Sequence, residues 1–223
     1  MKNWLSKLLR WILGTKSYAT LAQFLWQDAR NELPVDYGAD SVRALLQIVL
    51  PSSTSPATLL LCNDNNTFAA DALRLLPKSA EKHRLFCWEP DAQRRDWLQA
   101  QLSPYASLAD IRYLADQPSL DSWCQQESVN NLRLLRIGAG VSALVLLKGA
   151  SSMLANGRID FICVDYGPEW IERRELLKDL IDLAQANDYQ VLQLTRSGLL
   201  PVNDWYPDRE CFQRSRFLLK SWE

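Results

Sequence analysis

Glycine is scarce in this chain, with 8 in 223 residues, and histidine is nearly absent, with His83 alone. The first shortage leaves little material for a glycine-rich phosphate cradle. The second leaves a Ser-His-Asp triad or a His-rich metal site to be built on His83, with no partner suggested near it in sequence. Five cysteines, at 62, 87, 124, 163 and 211, are odd in number, far apart and contain no CxxC. A zinc ribbon or a disulfide framework is thereby excluded, and a reducing cytoplasm is the expected setting. No run of about 18 apolar residues exists, so no membrane span is expected. The formal charge of −1 gives no global field for nucleic acid or an acidic substrate.

What is present is an alternation of apolar runs and helical patterns. Residues 1–55 read as a helical N-terminal segment, closed by the breaker cluster "PSSTSP"; residues 56–223 read as a single α/β domain. In "MKNWLSKLLRWILG", Trp4, Leu5, Leu8, Leu9 and Ile12 share one helical face, and Lys2, Lys7 and Arg10 lie away from it. There is no small-residue cleavage site, so a signal peptide is not expected. Two readings stay open: a helix packed on the domain or on a protein partner, or one lying peripherally on anionic lipid. "YATLAQFLWQDARNEL" and "GADSVRALLQIVL" are further helices.

After the breaker, strands are expected at "ATLLLC", "HRLFCW", "DIRYL", "NLRLLRI", "RIDFICVDYG" and "YQVLQLT", with a last extended segment in "CFQRSRFLLKSW". Single helices are expected over "SALVLLKGASSML" and over "PEWIERRELLKDLIDLAQAN". Strands alternating with helices imply a mostly parallel sheet covered on both faces, with ligands outside the strands' carboxyl ends. The loops of interest therefore follow strands: Asn63–Thr67, Glu89-Pro90, Ala115–Ser119, Gly138–Ser142 and Tyr166–Trp170. Glu89 is placed to accept hydrogen bonds from the vicinal hydroxyls of a ribose, or else it is a loop acid or helix cap. Nine tryptophans suit either core packing or an aromatic surface for sugars or partners. "WYPDRECFQRSR" reads as a lid or as an exposed loop before the last strand.

"LLLCNDNNTF", "LFCWEPD", "SLDSW", "LLRIGAGVSALVLLKGASSML" and "IDFICVDYGP" occur in that order between about Thr58 and Leu200. In order and spacing they resemble the FkbM-type family of S-adenosylmethionine-dependent O-methyltransferases. The resemblance implies a Rossmann-like methyltransferase fold and S-adenosylmethionine as cofactor. It assigns Glu89 to the ribose, Asn63 and Asn65 to the methionine end, and Asp116 or Gln117 to the adenine. It implies a glycan or secondary-metabolite hydroxyl as the methyl acceptor.

The departures from the family pattern are concentrated in two loops. The family's Asp-x-Gly-Ala-Asn-x-Gly loop falls on Leu61 to Thr67, placing its glycines on Asn63 and Thr67 and keeping only Asn65. Asn tolerates positive φ better than other side-chain-bearing residues, so Asn63 is expected to keep the turn while adding bulk where a ligand belongs. Three carboxylates of the family's "LLKIDVEGAE" fall on Gly138, Gly140 and Ala143, and its Lys on Arg136. Hydroxyl methylation needs a base within hydrogen-bond reach. Asp165 is the remaining acid at a strand end, readable as that base, as a helix cap or as a partner of Arg136. No catalytic residue and no metal ligand is assigned. The expected function is a divergent O-methyltransferase with weak or lost activity; the alternative is an inactive binding or scaffold subunit that meets a protein through its N-terminal helices.

Overall fold

The computed structural model describes residues 39–50, 56–63, 68–115, 119–195 and 198–222. Its strands are β1 (Thr58–Cys62), β2 (His83–Trp88), β3 (Ala109–Leu114), β4 (Leu132–Ile137), β5 (Ile159–Tyr166), β6 (Tyr189–Thr195), β7 (Gly198–Pro201) and β8 (Ser215–Ser221). They form one sheet in the order β3-β2-β1-β4-β5-β8-β6-β7. The first five in that order run parallel, while β8 is antiparallel to both β5 and β6. β7 is antiparallel to β6 and forms the outer edge. It is the one strand the apolar pattern does not announce. It is only four residues long, half exposed, and ends in Pro201, a residue suited to an edge.

Strands buried on both faces read as continuous apolar runs, which is why TLLLC stands out in the sequence. Alternate side chains serve two cores. Leu60, Phe86, Leu135, Ile162 and Leu219 point to one face; Leu59, Leu61, Leu85, Cys163 and Leu218 point to the other. The first face is covered by α4 (Leu120–Gln126), α5 (Ala143–Lys148), α6 (Ser151–Ala155), α7 (Glu169–Arg173) and α8 (Leu177–Gln185). The second is covered by α1 (Ala39–Val49) and α2 (Phe68–Leu75). Val42, Leu45, Leu46 and Val49 of α1 are buried in the same core as β1, so this helix belongs to the packed body of the sheet. α3 (Ala92–Leu102) follows β2 and is capped by Asp91, whose carboxylate accepts from the Arg94 amide at 2.8 Å.

Two helices expected to be continuous are broken. Between α5 and α6 the chain turns at Gly149, and Asp121 of α4 accepts the Ser152 and Met153 amides at 2.8 and 3.0 Å. A tertiary carboxylate thus starts α6 where the local pattern would have continued the preceding helix. Between α7 and α8, Arg174 adopts a left-handed conformation with φ 56°. The freed amides of α8 are taken by Glu210, with Leu177 N at 2.7 Å and Lys178 N at 3.3 Å.

The N-terminal helix with Trp4 and Leu8, and the sites expected at Asn65, Asp116 and Gln117, lie outside the described residues. Among the described residues no helix is long and apolar enough to cross a membrane.

Candidate cofactor crevice

The strand order reverses direction between β1 and β4, so the crevice at their carboxyl ends is the topological switch point. Asn63 follows β1 immediately. Its φ is 49°, in the left-handed region, and its amide donates to Trp88 O at 2.9 Å, tying the turn to the end of β2. On the other side, the Gly138 amide donates to Cys62 O at 2.9 Å, tying the loop after β4 to the end of β1. A Cβ on Gly138 would lie 2.1 Å from Asn63 O, and one on Gly140 would lie 1.7 Å from Asn63 Nδ2. The Asn63 carboxamide therefore stands between the β1 and β4 loops; Gly140 makes room for it, and Gly138 makes room for the Asn63 backbone carbonyl.

Glu89 directly follows β2 and is 2% exposed. One carboxylate oxygen accepts from the Asp91 amide at 3.2 Å. The other lies 3.4 Å from Arg94 Nε and makes no hydrogen bond. Pro90 and the Asp91 cap fix the chain direction here, so the carboxylate is held at the strand end rather than on a loose loop. A buried carboxylate oxygen lacking a hydrogen bond is costly unless something else satisfies it, and a ribose diol is the ligand group suited to it.

Asp165, the remaining strand-end acid, is 4% exposed. Its Oδ1 accepts from Arg216 Nε at 3.0 Å, and its Oδ2 accepts from Arg136. Arg136 also donates to Ile137 O at 2.6 Å and sits over the Phe68 ring at 5.2 Å. Of the readings open for Asp165, the contact with Arg136 is the one observed, and Arg216 adds a second arm. Its only hint in sequence is a charge inside the apolar strand SRFLLKS. With both oxygens engaged and the residue buried, Asp165 is not disposed to take a proton from a substrate.

Two further acids were not legible from local pattern. Glu175, 5% exposed, accepts from Ser142 Oγ in the loop after β4, and Arg173 holds the same loop by Val141 O at 3.0 Å and Ala139 O at 2.6 Å. Glu210 accepts from Tyr166 Oη at 3.0 Å and Trp205 Nε1 at 3.1 Å, besides capping α8. Phe212 stacks on Tyr166 at 5.7 Å. The segment read as a lid or an exposed loop is thus fastened over the carboxyl end of β5. His83 is fully buried, accepts from the Ala57 amide at Nδ1 (3.0 Å) and donates to Pro77 O from Nε2 (2.7 Å). Both nitrogens are used at the sheet's opposite end, so its role is structural. Trp88, Trp123 and Trp170 are buried, whereas Trp97 and Trp222 are exposed. No cluster of metal-ligating side chains occurs among the described residues.

For the cofactor that the resemblance implies, the described residues fit one end and not the other. Glu89 suits a ribose. The side chain of Asn63, pressed against Gly140, takes space that a glycine at that position would leave to the amino-acid end.

No protein-family model matches the sequence, and no curated protein matches it. Solved structures do resemble the fold. A protein assigned as an rRNA-methylase from Clostridium thermocellum superposes with a TM-score of 0.57 at 8% identity, over 86% of this chain and 99% of that one. A protein assigned as an O-methyltransferase from Klebsiella pneumoniae gives 0.53 at 15% identity, over 91% and 90%. A methyltransferase from Geobacter sulfurreducens gives 0.52 at 11% identity, over 92% and 88%. At these identities the likeness is one of architecture: the chain has the Rossmann-like methyltransferase fold.

Proposed function

We propose that this chain is a divergent, FkbM-like relative of the S-adenosylmethionine-dependent O-methyltransferases, in which methyl transfer to a glycan or secondary-metabolite hydroxyl is weak or lost. The observation that carries this reading is the clamping of Asp165 between Arg136 and Arg216. From the end of β4 to the start of α5 the chain carries Gly138, Gly140 and Ala143 where the family carries acids, and the strand-end carboxylate of Asp165 is already paired with two guanidiniums. The retained Glu89 supports residual donor binding through the ribose. A bound donor would supply an electrophilic methyl group; this chain's part would be orientation through Glu89 and the β1 turn.

A second reading has its own support. Asn63 packed against Gly140 favours an inactive methyltransferase-fold subunit that binds partners instead of turning over substrate. On that reading the N-terminal helices are the contact segment, meeting a protein partner or the surface of an anionic membrane. Calorimetry with S-adenosylhomocysteine separates the two. Saturable heat that disappears in Glu89→Ala supports the weakened enzyme. No heat, together with methyl label from S-adenosylmethionine never reaching a panel of glycan and polyketide hydroxyls, supports the subunit.

A further inference from the structure

The crevice above the strand ends has two halves, because β1 lies between β2 and β4. One half lies over β2 and β1 and contains Glu89. The other lies over β1 and β4 and contains the Asn63 carboxamide. A ligand reaching across both must pass the residue that follows β1, which is the position where a backbone comes closest to a bound nucleotide in sheets of this kind.

We infer that Asn63 is a specificity-determining residue that closes the β1–β4 half, so that the site takes a nucleoside lacking an amino-acid tail. The inference rests on the reading of Glu89 as a ribose acceptor given above, and goes beyond it in naming the ligand class. Three observations support it. Gly140 does not have a left-handed φ, so it is not glycine for conformational reasons; it leaves room for the Asn63 carboxamide, whose Nδ2 would lie 1.7 Å from a Cβ there. The exchange is reciprocal, with a side chain in the first loop and Gly140 opposite it in the fourth, so both loops take part in the closure. On the Glu89 side the carboxylate keeps one oxygen without a hydrogen bond, beside an Arg94 side chain that is 40% exposed.

The test is isothermal calorimetry on the full chain with two probes, adenosine and S-adenosylhomocysteine, which share the nucleoside and differ by the tail. The wild type is expected to bind adenosine at least about tenfold tighter than S-adenosylhomocysteine. Asn63→Gly is expected to tighten S-adenosylhomocysteine by about tenfold, leaving adenosine within about threefold. Glycine suits the left-handed φ, so this variant keeps its turn; Asn63→Ala, which removes the carboxamide but keeps a Cβ, is the second arm should Asn63→Gly fail to fold. Glu89→Gln is expected to abolish both heats. Equal affinity of the wild type for the two probes, a probe ratio unmoved by both Asn63 variants, or no heat from adenosine would each overturn the inference. Adenosine heat that survives Glu89→Gln would sink the reading of Glu89 as the ribose acceptor while leaving the probe ratio to report on Asn63, so the two failures are distinguishable.

Discussion

At the residue scale, Asp165 pairs with two arginines, and the three side chains come from three strands of the sheet. Arg136, Asp165 and Arg216 are each at most 4% exposed and project from neighbouring strands β4, β5 and β8. Burying such a group is tolerable only while the partners stay together, because the desolvation cost is met by their mutual attraction. Asp165→Asn would remove the carboxylate that the two buried guanidiniums share. We expect it to lower stability by about 3–5 kcal/mol in urea unfolding. An unchanged midpoint would show that the clamp contributes nothing. Asn63 was legible in the sequence as a turn-former with too large a side chain; that its carboxamide meets Gly140 was not, because the two are separated by the whole β2–β4 region. Arg216 was missed for the same reason: its partner is 51 residues away in sequence.

At the element scale, apolar runs located β1, β2, β4, β5 and β6 well, since strands buried on both faces carry their environment in their composition. Helix ends were less legible. The α5–α6 and α7–α8 breaks depend on Asp121 and Glu210, carboxylates contributed from elsewhere, so the local pattern ran straight through both breaks. Glu210 is the more informative of the two. One side chain gathers the first amides of α8, the Tyr166 hydroxyl and the Trp205 indole, and so fixes the segment between β7 and β8. Glu210→Ala is predicted to cost about 2–3 kcal/mol, the range for losing hydrogen bonds to a charged group. Limited proteolysis should then cut between Trp205 and Arg214 well before the rest of the chain. Persistent protection of that segment would mean that the Tyr166–Phe212 stack holds it unaided.

At the scale of the whole molecule, burial of phenols gives stability a dependence on alkaline pH. Burial pushes the hydroxyls of Tyr113 and Tyr189 up from 10.0 to about 12. The folded state therefore keeps protons that the unfolded chain releases first. The contribution is complete below about pH 10 and is lost as pH rises through about 12. Urea midpoints should fall between pH 9 and pH 11.5, and Tyr189→Phe should lessen that fall; a slope identical to wild type would refute the assignment. The same molecule carries a consequence for its own synthesis. β8 lies between β5 and β6 in space, yet it follows every other strand along the chain. During translation β5 and the β6–β7 hairpin must wait, each with an unpaired backbone edge, until residues 215–221 leave the ribosome. The strand that joins the parallel part of the sheet to the β6–β7 hairpin thus arrives after both of its neighbours, and the two waiting edges are open to mispairing until it does.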